Sequence, residues 1–231
     1  FYHESNTYYR ALAPLLYVDD TRPARLREPS WNLLGFGTQS LDADADGAPD
    51  LLVANGHIDD LTARGEPFEM PPQFFHNRGG WFRELPASEA GAAFSRPALG
   101  RGVARLDWNG DGLDDAVIVN QQSAAVLLEN RTEAVGARIV LSLTGTRSSR
   151  DPVGTIVVAR FGGRSLTRQL TAGDGYQASN ERRLLFGLGD YAGPVGLEVY
   201  WPDGETESYS IVLSGPERVQ SLHLIEGRSP Q

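Results

Sequence analysis

Cysteine and lysine are both absent from the 231-residue sequence, and no apolar run approaches the length needed to cross a membrane. Without cysteine there can be no disulfide, no thiolate metal site and no cysteine nucleophile, although the compartment stays open. All 21 basic residues are arginine, which fits a GC-rich, bacterial coding bias and carries no functional meaning. Helix-period patterns are scarce. No charged-then-apolar leader follows Phe1, so a targeting segment is expected to have been removed or to lie outside this sequence. There is no P-loop, no Gly-x-Ser-x-Gly elbow and no dinucleotide fingerprint. The net charge of −9 argues against nucleic acid or an anionic membrane surface as partner.

What the sequence does have is a repeated acidic loop. Leu41 to Asp50 reads Leu-Asp-Ala-Asp-Ala-Asp-Gly-Ala-Pro-Asp, and Leu106 to Asp115 reads Leu-Asp-Trp-Asn-Gly-Asp-Gly-Leu-Asp-Asp. Counted from the first Asp, positions 1, 3, 5 and 9 are Asp42, Asp44, Asp46 and Asp50 in one copy, and Asp107, Asn109, Asp111 and Asp115 in the other. Position 6 is glycine in both, Gly47 and Gly112. Alternate oxygen-bearing side chains around a tight turn suit a hard cation such as Ca2+, with the position-7 carbonyl, here Ala48 or Leu113, as a further ligand. Position 12 would be Val53 or Ile118, which excludes an EF-hand and its bidentate Glu. The flanks repeat in register: Gly35, Gly37 and Leu41 before the first loop, Gly100, Gly102 and Leu106 before the second. An apolar run closed by Asn55 or Asn120 follows each loop, so this is an internal repeat. Two Ca2+ ions are expected, with a structural role. The first loop, carrying four carboxylates against three, should be the harder to empty.

The 26 glycines and 14 prolines, set among short apolar stretches, argue for many strands and turns. Residues 1–34 read as the tail of an earlier repeat, with a loop over 19–29. The clear units cover about 35–82 and 100–130. Each runs strand, Asp loop, strand, then strand and Asn turn, close to one four-stranded propeller blade. From about residue 135 the Asp loops stop, and strands are expected near 137–143, 155–161, 165–171, 183–186, 195–201, 205–212 and 219–225. Turns are expected between them at Gly162-Gly163, Gly173-Asp174-Gly175, Gly187-Leu188-Gly189 and Pro202-Asp203-Gly204. That spacing predicts an antiparallel β-sandwich. The expected fold is all-β: propeller-type calcium-binding blades over 1–133, then an immunoglobulin-like sandwich over 134–231.

These segments resemble two known families. The Asp loops with their glycine-rich entry strands resemble the FG-GAP/VCBS repeat of integrin-type propellers, and Asn55-Gly56-His57 and Gly100-Arg101-Gly102 fit that repeat region. Leu143 to Arg150, Gly173-Asp-Gly-Tyr176, Phe186-Gly-Leu-Gly189 and Trp201-Pro-Asp-Gly204 resemble the ASPIC/UnbV domain, as in bacterial secreted proteins similar to cartilage acidic protein. One stretch departs: Ser149-Arg150-Asp151-Pro152-Val153-Gly154-Thr155 stands where that family has Asn-Arg-x-Ala-Ile-Gly-Ala. The resemblance implies a secreted, extracellular or cell-surface protein that binds or adheres with the help of calcium, and it supplies no catalytic residue.

Other candidates have plainer readings. His3, His57, His76 and His223 lack metal spacing; His57, beside Asp59 and Asp60, reads as a turn histidine. Asn130-Arg131-Thr132 is a glycosylation sequon only in a eukaryotic secretory pathway. Arg147, Arg150, Arg182 and Arg183 are read as solvated, and Tyr200 and Trp201 as core or sheet-face packing. The expected function is a non-enzymatic binding module for a protein or glycan. The rivals are a self-assembling subunit whose incomplete propeller is completed by another chain, and a calcium-dependent hydrolase.

Overall fold

The computed structural model describes residues 3–213 and 218–228; Phe1 and Tyr2 lie outside them. The fold is all-β, built from several sheets, and the described residues form no closed barrel. β1 (Tyr9–Ala13) and β2 (Leu16–Asp19) form a hairpin by themselves. The strands β3 (Gly35–Leu41), β4 (Asp50–Asn55), β5 (Gln73–Asn77) and β6 (Phe82–Glu84) follow as an antiparallel meander in chain order. A second meander, β7 (Gly100–Leu106), β8 (Asp115–Asn120) and β9 (Val126–Leu128), repeats the first three of these. The repeat is therefore real in space, but the second unit has three strands among the described residues where four were expected.

The register explains why the sequence repeats. Leu41 pairs with Asp50 and Leu106 with Asp115, so each Asp loop is the connection of a hairpin closed by the same residue types. A register shift lies at the entry of each hairpin, between Gly35 and Thr38 and between Gly100 and Gly102. The entry strands of the two meanders approach backbone to backbone. A Cβ on Gly37 would lie 2.5 Å from the Arg101 carbonyl oxygen, so only glycine fits there. Leu41, Leu52 and Ala54 of the first meander share one apolar cluster with Val103, Ala116 and Ile118 of the second.

The C-terminal half has two sheets. β11 (Ile156–Phe161), β12 (Arg164–Gln169), β14 (Val195–Tyr200) and β15 (Thr206–Ile211) make one, ordered β12-β11-β14-β15. The other is β13-β10-β16, from β10 (Ala137–Thr144), β13 (Arg183–Gly189) and β16 (Val219–Ile225), with β10 and β16 parallel. Period-2 alternation sends Val157, Ala159, Phe161, Val195, Leu197 and Val199 into a core shared with Ile139, Leu141, Leu184, Phe186, Leu188 and Leu224. Burying a side chain such as Phe186 contributes roughly 2–3 kcal/mol. Trp201 belongs to this core, whereas Tyr200 is exposed.

β13 departs from that alternation: it is buried on both faces. Leu184, Phe186 and Leu188 point into the C-terminal core. The odd-numbered Arg183, Leu185, Gly187 and Gly189 lie on the opposite face, toward the N-terminal half. The expected turn at Gly187-Leu188-Gly189 is thus corrected to the end of a strand. Its glycines answer a close approach by another segment, not a reversal of the chain.

Candidate metal centre

The segment approaching β13 is the first Asp loop. Gly189 N–H donates to the Ala45 carbonyl (2.9 Å), Gly136 N–H to the Asp44 carbonyl (2.7 Å) and Arg164 Nη2 to the Asp46 carbonyl (3.2 Å). A Cβ on Gly187 would stand 2.2 Å from Asp42 Oδ2 and 2.5 Å from the Ala45 carbonyl carbon. The loop's outer rim of carbonyls is therefore seated on the C-terminal half, with Asp42 Oδ2 against Gly187. Ala45 takes φ 55°, a left-handed conformation that costs an alanine on the order of 1 kcal/mol, and it is fully buried in that seat.

Inside the first loop, Asp42, Asp44 and Asp46 offer carboxylate oxygens that all lie within 4.8 Å of one another. Asp42 Oδ2 accepts Gly47 N–H (3.0 Å), Asp44 Oδ1 accepts Asp46 N–H (3.3 Å), and Asp46 Oδ1 accepts Ala48 N–H (2.6 Å). Asp42 Oδ1 is buried with no hydrogen-bond partner. His76 Nε2 lies 3.5 Å from Asp44 Oδ2. Asp50 stands outside the cluster: its oxygens accept Ala43 N–H (3.2 Å) and Asn77 N–H (2.8 Å), tying the loop to the Asn turn after β5. Burial, reinforced by Asp46 and Asp44 as like charges, pushes the Asp42 carboxyl up to about 6. Burial likewise pushes Asp50 up to about 7, against the two amides that hold it. Arg168 offsets the push on Asp42 only in part, so the site stays short of positive charge. Three carboxylates, one oxygen of them orphaned, form an all-oxygen donor set that fits Ca2+, with the Ala48 carbonyl next in the loop.

The second loop keeps the turn and changes the surroundings. Asp107 Oδ1 accepts Gly110 N–H (2.8 Å) and Asp111 N–H (3.1 Å); Oδ2 accepts Gly112 N–H (2.9 Å). Asn109 Oδ1 accepts Asp111 N–H (3.0 Å), while its Nδ2 donates to Asp111 Oδ2 (2.9 Å). Asp111 Oδ1 accepts Leu113 N–H (2.8 Å). Asp115 repeats the role of Asp50, accepting Trp108 N–H (2.8 Å) and Asn130 N–H (2.6 Å). Arg183 Nη1 lies 3.1 Å from Asp107 Oδ2 and Nη2 donates to the Leu113 carbonyl. The reading of Arg183 as solvated is corrected: it is 7% exposed, because β13 turns it into the N-terminal half.

Three residues, Asn130, Asn180 and Gln39, have long-range roles that the sequence did not indicate. Asn130 joins the loops: its amide holds Asp115, and its Nδ2 donates to the Ala43 carbonyl (2.9 Å). The segment after Gly173 lies across β3 and β7. Asn180 Nδ2 donates to Gln39 Oε1 (2.9 Å), Asn180 Oδ1 accepts Arg105 N–H (2.8 Å), and Gln39 Nε2 reaches the carbonyls of Val103 and Asp174. A Gln, an Asn and a Gly-Asp-Gly turn signal separately suggest only loops; their long-range pairing leaves no local trace. His57 is a buried turn histidine whose Nδ1 accepts Asp59 N–H (3.1 Å).

Residues 145–227 match the family model described as ASPIC and UnbV. That span covers four strands of the two C-terminal sheets that follow β10 and precede β15, and both β15 and β16. No curated protein matches the chain. Among the described residues, no helix is long and apolar enough to cross a membrane.

Proposed function

We propose that the chain is an extracellular, calcium-stabilised binding or adhesion module without catalysis. In this reading residues 1–133 are propeller-type FG-GAP/VCBS blades and residues 134–231 an immunoglobulin-like sandwich. One observation carries it: the buried, unpartnered Asp42 Oδ1 in the Asp42–Asp44–Asp46 cluster. The carboxylates of Asp42, Asp44 and Asp46 and the Ala48 carbonyl would hold the ion, while Asp50 braces the loop. Calcium supplies charge neutralisation here, and sites of this kind fill at the calcium levels found outside cells. The two entry strands in backbone contact support the blade reading, and the parallel pairing of β10 with β16 opposite a second sheet supports the sandwich. The ligand is a protein or a glycan, met by loops away from the acids. Calcium titration by calorimetry, on wild type and Asp42→Asn, tests the reading. Wild type should take up an ion that the variant does not; no uptake by either sinks it. Binding to immobilised glycans or matrix proteins should then be lost in chelator.

A second reading, assembly with copies of itself, is favoured by the β1–β2 hairpin. Both strands are exposed throughout, with Tyr9, Leu12, Leu15, Leu16 and Tyr17 in water, and a lone two-stranded hairpin is marginal. Light scattering that gives a monomer at every concentration would dismiss it.

A further inference from the structure

We propose that the second Asp loop is not a calcium site, and that the guanidinium of Arg183 is its resident cation. The inference is independent of whether calcium fills the first loop. A calcium loop of this pattern uses the first carboxylate and the seventh carbonyl, here Asp107 and Leu113. Arg183 takes both: Nη1 is 3.1 Å from Asp107 Oδ2, and Nη2 donates to the Leu113 carbonyl. The same guanidinium pairs with Asp114 Oδ1 at 2.7 Å, and its Nε stands 3.2 Å from Glu181 Oε2. Asp114 is itself 2% exposed and takes a second arginine, Arg105, at 3.1 Å. Arg138 Nη2 donates to the Asp111 carbonyl at 2.6 Å.

The remaining positions agree. The position-3 residue is Asn109, whose Nδ2 donates into the loop toward Asp111 Oδ2, where the first loop has a carboxylate. Both oxygens of Asp107 already accept backbone amides, and no oxygen of the second loop is buried without a partner among the described residues. A divalent ion among these oxygens would stand beside a fixed positive charge and compete with it for the same lone pairs. In the first loop the facing residue of β13 is Gly187, which brings no side chain; among the described residues His76 makes the ion-pair contact with the carboxylates, and the half-buried Arg168 acts on Asp42 only at longer range. One strand thus offers an arginine to one loop and bare backbone to the other. The joint at the second loop is accordingly indifferent to calcium.

The experiment counts ions. Calcium uptake by the full chain should be unchanged by Asp107→Asn. It should fall by one equivalent with Asp42→Asn; if both variants are silent because nothing binds, the calcium reading of the first loop fails and this inference stands. Loss of one equivalent on Asp107→Asn overturns it. Arg183→Gln should lower Tm by roughly 10 °C in chelator, as expected for breaking a buried pair. Asp107→Asn added to Arg183→Gln should then cost less than half what it costs in wild type. A Tm for Arg183→Gln within about 2 °C of wild type, or strict additivity with Asp107→Asn, overturns the role given to the guanidinium. Should Arg183→Gln fail to fold, the ion count on Asp107→Asn alone decides.

Discussion

The two Asp loops close hairpins of the same register and end on the same aspartate–asparagine brace, yet each meets a different part of β13. At the second loop the facing side chain is Arg183; at the first it is Gly187. The difference teaches that a metal-loop pattern specifies a turn before it specifies an ion. Amides inside the turn satisfy about half of the carboxylate oxygens, and what lies across from the turn decides how the remaining charge is neutralised.

The comparison can be broken most forcefully at the seat of the first loop. Gly187→Ala places a methyl 2.2 Å from Asp42 Oδ2 and against Ala45 backbone. It should cost about 3 kcal/mol, roughly 10 °C in Tm at this chain length, and should weaken calcium binding. Gly173→Ala, with nothing within 4 Å of the new methyl, should be silent in the same melts. Calcium itself comes next. At a hundredfold excess over Kd the ion should stabilise the fold by about 2.7 kcal/mol, seen as a Tm rise of roughly 5–10 °C over chelator that vanishes in Asp42→Asn.

A pH series sharpens the contrast further. Asp42 and Asp50 are held up at about 6 and about 7 in the folded chain, above their unfolded values near 4. Between those values the folded chain binds protons that the unfolded chain has released, so in calcium-free buffer stability should fall as pH rises from about 4 to about 7. Saturating calcium should flatten that slope; a slope unchanged by calcium would separate these acids from the ion. The smallest effect is expected at the bridge between the loops. Asn130→Ala removes the bond to the Ala43 carbonyl and should cost about 1 kcal/mol, with a modest loss of calcium affinity by calorimetry.

Much of the architecture was legible in the sequence because it rests on local signals. Period-2 alternation located β10, β11, β14 and β16 within a residue or two, and the matched flanks of Asp42 and Asp107 located the two hairpins. The misses share one cause: they concern residues whose partner is distant in sequence. Gly187 and Gly189 look like a turn unless an Asp loop from the other half is known to rest on them. Arg183 looks solvated in a run of Glu181-Arg182-Arg183, because the exposure of a strand residue depends on what covers the outer face of its sheet. The local signal that could have told otherwise is the unbroken apolar run Leu184-Leu185-Phe186, the pattern of strands packed on two sides. The parallel pairing of β10 with β16, Leu141 opposite Leu222, likewise has no local signature.

Because β13 is occupied on both sides, its register is fixed twice over. Inserting or deleting one residue within Arg183–Gly189 would exchange its faces. Leu184, Phe186 and Leu188 would then confront the acidic loops while an arginine and two glycines turned into the apolar core. A strand with one wet face could absorb such a slip by rearranging at its surface; this one has no surface to yield. Length variation in the C-terminal half should therefore collect in the connections that flank β13, and never within its seven residues.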